Sequence, residues 1–270
     1  MGRRIKLIER QVEERLGEEK LNYQGCLMKI AVYSEATDII VEFQDGYKAR
    51  VHTQYTNFKR GNVKNPYYPS VYGVGITGNK YPTWIIGTDK HTKEYDAWQN
   101  MLARCFDEKI KEKYPTYKNA TCCEEWLLYE NFYEWLHAQE NFDKWYENDK
   151  WHVDKDILVK ENKVYSYDTC VLVPYNVNKL FVKHELHRGD LPIGVTKCNN
   201  RDGFIARCMN PITNKRDYIG YYDTPQKAFF AYKSYKENSI KEVAQLEFHK
   251  ENITEDCYNA MMNYVVEITD

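Results

Sequence analysis

No stretch of the 270-residue chain approaches the roughly 18 consecutive apolar residues of a membrane span. The start, MGRRIKLIERQVEERLGEEK, lacks the apolar core of an export signal, so a cytoplasmic protein without a membrane partner is expected. The cysteines lack the paired two-residue spacing of a zinc knuckle. Cys26, Cys105, Cys122, Cys123, Cys170, Cys198, Cys208 and Cys257 are scattered, and only Cys122 and Cys123 adjoin. Reduced, buried thiols are expected and a structural zinc is not. The chain also lacks an excess of either charge: 38 Lys and Arg face 40 Asp and Glu. That argues against a uniformly basic nucleic-acid binder, but it does not describe the segments. Residues 1–83 hold 13 basic and 9 acidic side chains, residues 84–185 hold 14 and 19, residues 186–250 hold 11 and 7, and residues 251–270 hold 0 and 5. Two basic segments therefore flank an acidic middle, and for phosphate binding distribution counts for more than the sum.

What the chain does have is aromatic residues (24 Tyr, 10 Phe, 6 Trp) and hydrophobic periodicity that changes along its length. Residues 3–20 read as a helix through Ile5, Ile8, Val12 and Leu16. Met28–Tyr33, Asp38–Phe43 and Tyr47–Thr53 read as strands of a small β-barrel-like module, with a turn at Gly46 and a helical turn over Gln54–Arg60 closed by Gly61. The middle is helical: Tyr95–Phe106 puts Trp98, Met101, Leu102 and Cys105 on one face, and Glu124–Glu140 aligns Trp126, Leu127, Phe132 and Trp135. Short strands follow at Trp151–Val159, Lys163–Tyr165 and Cys170–Val173, then a helix from Pro174 to Val182. Three strands, Ile193–Lys197, Phe204–Met209 and Arg216–Tyr221, precede a long helix begun by Asp223-Thr224-Pro225. The fold class is α+β, in three modules: 1–83, 84–185 and 186–270.

In the last module, alternation puts Ala206 and Ile219 on a face that packs against the helix, and Arg207, Arg216 and Tyr218 on the other. Lys197, Arg201 and Lys215 are read as extending that outer face. Gly194-Val195, Phe204-Ile205-Ala206 and Tyr218-Ile219-Gly220-Tyr221-Tyr222-Asp223-Thr224, followed by an Ala- and Tyr-rich helix, resemble the plant ethylene-response-factor (Apetala-type) DNA-binding domain. Versions of that domain also occur in phage and bacterial homing endonucleases. The resemblance covers about 50 residues. It implies that the outer sheet face lies in the major groove, with Arg207, Arg216 and Tyr218 on phosphates or base edges. Thr196 stands where the family carries arginine, which implies weaker sequence specificity.

The stretch WHVDKDILVKENKVYSYDTCVLVPYNVNKLF is similar to the β-hairpin and helix of phage His-Asn-His (HNH) endonucleases, over about 30 residues. That resemblance implies one divalent ion, Mg²⁺ or a similar metal, on Asp154, Asp156 and Asn178 (or Asn176), and a bracing role for Asn162. It departs from the family at Lys155, which replaces the histidine that activates water. An ordinary lysine is a poor base at neutral pH, and His152 is the substitute on the same strand face. Residues 22–66 resemble a small β unit of phage proteins of unassigned function. Lys59, Arg60 and Lys64 cluster there near Tyr55 and Phe58 and can grip a nucleic-acid backbone. Three functions follow as expectations: a metal-dependent homing endonuclease or nickase from a phage or mobile element, acting on double-stranded DNA in a bacterial cytoplasm; a DNA-binding regulator without cleavage; or a phage inhibitor of a host defence protein, with acidic surfaces imitating DNA.

Overall fold

The structure, a computed structural model describing residues 10–182 and 191–268, is α+β. It divides into two compact units, Met1–Glu108 with Glu124–Tyr133, and Lys109–Cys123 with Glu134–Asp270. Among the described residues no helix is long and apolar enough to cross a membrane.

In the first unit, β1 (Glu19–Leu21), β2 (Leu27–Glu35), β3 (Asp38–Phe43) and β4 (Arg50–Thr53) form an antiparallel sheet in that order, one strand more than the sequence reading. Alternation buries Met28 and Ile30 of β2 and Ile39, Val41 and Phe43 of β3. Helix α1 (Tyr55–Arg60) adds Phe58 to that core and ends at Gly61, whose φ of 71° is left-handed. The strand read from Tyr47 begins instead at Arg50. Asp45 Oδ1 accepts the N–H groups of Tyr47 and Lys48, both at 3.0 Å, and holds them in the turn. Of the helix read over 3–20, residues 10–15 are helical and Val12 packs on the sheet core. Ile5 and Ile8 lie outside the described residues. Gly17, at φ 81°, ends the helix before β1, and Leu16 is exposed.

Helix α2 (Lys93–Phe106) is capped by Thr92 and buries Trp98, Met101, Leu102 and Cys105, the face read from the sequence. Trp98 Nε1 donates to the Trp126 carbonyl at 2.7 Å. After α3 (Glu108–Lys113), the single helix expected over Glu124–Glu140 is broken into a 3₁₀ turn, Glu124–Leu127, and α4 (Tyr129–His137). The break has a tertiary cause. Ile76 N–H bonds the Leu127 carbonyl and Tyr129 N–H bonds the Ile76 carbonyl, so this backbone pairs across rather than within a helix. Glu130 then anchors the loop beside it. Its Oε1 accepts the N–H groups of Asn79 and Lys80 at 2.9 Å and the Tyr67 hydroxyl at 3.0 Å. Gly78 is needed there, because a Cβ would lie 2.2 Å from that oxygen.

The second unit is organised by one long helix. After β5 (Thr121–Cys122), α5 (Phe142–Glu147) and β6 (Trp151–Asp154), β7 (Val164–Tyr165) pairs parallel with β5 and β8 (Val171–Pro174) pairs antiparallel with β6. The single turn α6 (Tyr175–Asn178) follows. Then β9 (Val195–Lys197), β10 (Phe204–Met209) and β11 (Arg216–Tyr222) form an antiparallel sheet with β10 in the centre, packed on α7 (Pro225–His249); α8 (Glu255–Met262) comes last. Helix α7 has 25 residues, about 37 Å at ~1.5 Å per residue. Its first half packs Ala228, Phe229 and Tyr232 under the three-stranded sheet. Its second half packs Ile240, Val243 and Ala244 against Val171 and Val173 of β8, Val177 of α6, and Cys257 and Met261 of α8. Two readings are corrected here. The strand expected over Trp151–Val159 stops at Asp154, and the helix expected from Pro174 to Val182 is confined to Tyr175–Asn178, with Pro174 at its N-cap.

Candidate nucleic-acid interface

The three-stranded sheet presents two unlike faces. Ala206 and Cys208 are buried on the helix side, and Val195 pairs with Ala206 there. Gly194 admits the helix: its φ is 78°, and a Cβ would sit 2.0 Å from the Tyr232 ring. On β10 and β11, residues directly opposite share a face, and the register pairs Ile205 with Tyr221, Arg207 with Tyr218 and Met209 with Arg216. The register shifts between Ala206–Gly220 and Arg207–Tyr218, leaving Ile219 as the extra residue of a β-bulge. Ile219 joins the helix-side core, as read from the sequence, while Tyr218 and Tyr221 both stay outside. Arg207 and Arg216 are thus diagonal neighbours rather than direct partners. Tyr218, 60 % exposed, stands across from Arg207.

Three carboxylates of this sheet and helix, Asp217, Asp223 and Glu237, are engaged elsewhere. Asp217, between Arg216 and Tyr218 in sequence, faces the helix. It accepts from the Tyr235 hydroxyl and from Asn210 Nδ2, at 2.9 Å for the latter, and these bonds hold its carboxyl below the usual range. Asp223 pairs with Lys227 and Glu237 with Lys233, both at 2.8 Å. Among the described residues, no ion pair joins Arg207, Arg216, Lys215 or Lys197. Lys215 closes the turn before β11, where Asn210 Oδ1 accepts the N–H groups of Ile212 and Thr213 at 3.0 Å. The Arg201 guanidinium lies 3.6 Å from the centre of the Tyr221 ring, a cation–π contact that fixes a positive charge at the sheet end. The Tyr221 hydroxyl in turn donates to the Asp202 carbonyl. Lys197 departs from its expected place. It pairs with Phe204, whose ring packs on the helix-side core, so Lys197 belongs to that side at the exposed strand end. Alternation along β10 puts Ile205 and Met209 on the outer face with Arg207, but Tyr221 of that face is not legible in the sequence, because the bulge that puts it there has no sequence signature.

The hairpin read as HNH-like has the expected order, β6 and β8 followed by α6, but its polar groups are turned to structural bonds. Asp154, 8 % exposed, accepts the N–H groups of Asp156 and Ile157 on Oδ1 at 2.8 and 2.9 Å. Burial, the largest effect, raises its carboxyl above the usual range. Lys155, 5 % exposed, donates from Nζ to Asp156 Oδ1 at 2.6 Å and to the Asn162 carbonyl at 2.9 Å, with the Tyr165 ring 5.6 Å away. Asn162 braces the hairpin: Nδ2 donates to the carbonyls of Lys155 at 2.8 Å and Val164 at 2.6 Å. Because β6 ends at Asp154, strand alternation does not carry Asp156 onto the His152 and Asp154 face. His152 is half-buried, its ring 5.8 Å from that of Tyr175. Asn176 donates to Glu247 at 3.1 Å; Asn178 is half-buried and its carbonyl accepts from Phe181. No group of three or more His, Cys, Asp or Glu among the described residues is placed to hold a metal ion.

The N-terminal basic cluster is dispersed. Lys59 pairs with Glu18 at 3.0 Å. Arg60 is exposed at the C-terminal end of α1, and Lys64 lies in the following loop, on a groove beside β4. All eight cysteines are free thiols. Compared with protein-family models, with curated proteins and with solved structures, the chain gives no match.

Proposed function

We propose that the chain binds double-stranded DNA through the outer face of the β9–β10–β11 sheet, without cleaving it. The observation that carries this reading is the pair Arg207 and Arg216 beside exposed Tyr218, with the intervening carboxylate of Asp217 turned inward to Tyr235. A three-stranded antiparallel sheet fits the major groove, and guanidinium groups without an ion pair among the described residues can displace counterions from phosphates. Arg201 and Lys215 extend the contact at the two ends. The resemblance to the ethylene-response-factor domain points the same way.

The choice of binding over metal-dependent cleavage rests on the hairpin. Asp154 Oδ1 already serves two backbone N–H groups, and the ammonium of Lys155 occupies Asp156, where an HNH site would use a free base and an open carboxylate. The reading as an inhibitor of a host defence protein draws on the acidic segments. Two of their carboxylates, Glu130 and Asp154, are buried in internal bonds.

Two measurements test the proposal. The logarithm of duplex affinity should fall linearly with the logarithm of salt concentration, with a slope of about −0.9 per phosphate contacted. Supercoiled plasmid incubated with the protein and Mg²⁺ or Mn²⁺ should stay intact. Salt-independent association would remove the DNA reading. Nicking that disappears in Asp154→Ala would restore the endonuclease.

A further inference from the structure

We propose that a groove along β4 binds an extended acidic peptide segment, which adds to the N-terminal sheet as a fifth strand. The groove, about 390 Å³, is lined by Arg50, Val51 and His52 of β4, together with Lys64, Thr77 and Asn79 among others. Three consecutive strand residues can line one groove only where it runs along the strand's edge, since alternate side chains leave on opposite faces. The hydrogen-bond register agrees. Phe43 N–H bonds the carbonyl of Ala49, its direct partner, at 2.9 Å. In an antiparallel ladder the bonded pairs then recur at Val41–Val51 and Ile39–Thr53. Arg50 and His52 therefore point their backbone N–H and C=O groups away from β3. Strand β4 is the edge of the sheet among the described residues, and these groups face the groove.

Alternating donors and acceptors along about 13 Å of strand, at ~3.3 Å per residue, match another extended chain. They do not match a row of phosphates, which offers acceptors only. The charge of the occupant follows from the side chains. Arg50 pairs with Glu42 and His52 with Asp38, both at 2.7 Å, but Lys64 has no ion-pair partner among the described residues. A carboxylate facing Lys64 completes the site. Thr77 Oγ1, a buried atom of a lining residue, also lacks a hydrogen-bond partner among the described residues.

The test uses the full chain and a fluorescein-labelled hexapeptide of alternating glutamate and valine, with a lysine-for-glutamate peptide as control. The glutamate peptide should bind saturably and slow hydrogen exchange at the amides of Arg50 and His52; the lysine peptide should bind at least tenfold more weakly. His52→Pro removes an outward N–H without breaking the β3–β4 ladder, and an edge strand tolerates it. It should weaken the glutamate peptide about tenfold or more. Lys64→Glu, on a surface loop, should reverse the preference between the two peptides, and it carries the test should His52→Pro fail to fold. Equal binding of both peptides, unchanged affinity in folded His52→Pro, unchanged preference in Lys64→Glu, or protection of the same amides by duplex DNA in place of peptide would each overturn the proposal.

Discussion

Asp154 illustrates how one side chain can carry the polarity of an active site while serving a turn. Its Oδ1 holds two N–H groups at the end of β6, so Asp154→Ala leaves both donors without this acceptor, that of Ile157 in a buried setting, and should cost about 1–3 kcal/mol in urea unfolding. Asp154→Asn keeps an acceptor oxygen and should cost less. The pH dependence has a definite sign. Burial raises the folded-state carboxyl above its unfolded value, so the stability it contributes is full below the ordinary carboxylate range and is lost as pH rises through the raised value. Unfolding midpoints across that window should fall more steeply for the native protein than for Asp154→Asn. Parallel curves would mean that Asp154 does not titrate differently on folding. A sequence shows that Asp154, Lys155 and Asp156 are adjacent. It does not show that a strand ends between them, which decides whether three polar side chains converge or bond to one another.

The C-terminal strands and the long helix after them are the most legible elements, for reasons visible in particular residues. Thr224 accepts the Lys227 N–H and Pro225 takes the first helical position, both local signals that need no tertiary context. Thr224→Ala should accordingly destabilise the unit by about 1 kcal/mol in thermal or urea unfolding, the usual size of a lost cap. An unchanged midpoint would show that packing of Ala228 and Phe229 alone fixes this end. The alternation in Phe204–Met209 likewise separated Ala206 from Arg207 correctly. What misled was distant pairing. The break between Leu127 and Tyr129 depends on Ile76, some fifty residues away, and no local pattern announces it. The bulge at Ile219 moves Tyr221 to the outer face, and the register of Lys197 follows from its partner Phe204; both are facts about neighbouring strands. For the candidate site, Arg207, Arg216, Tyr218 and Lys215 could be read directly. The stacking of Arg201 on Tyr221 could not, since it depends on how the turn before Phe204 folds back.

At the scale of the whole molecule, α7 gives the account its economy. One helix forms the floor of the basic sheet with its first half and the partner of the β6–β8 hairpin with its second, so sheet and hairpin share a rigid support within the unit. The near-zero net charge then hides a segregated surface, with Asp217 and Glu237 bonded inward or to lysines and the arginines of β10 and β11 left outward. Neither arginine contributes to the core, so removing both should leave the fold intact. The most direct test is fluorescence anisotropy of a labelled duplex with the native protein and with Arg207→Ala/Arg216→Ala, at two salt concentrations and with unfolding midpoints measured alongside. Losing a phosphate contact lowers affinity for all sequences and reduces the salt slope by about one, and losing a base contact costs ~1–3 kcal/mol at one position. The folded double variant should lose at least tenfold in affinity at the lower salt, with a salt slope shallower by one to two. A folded double variant that binds duplex DNA as tightly as the native protein, with the same salt slope, would contradict binding through this face.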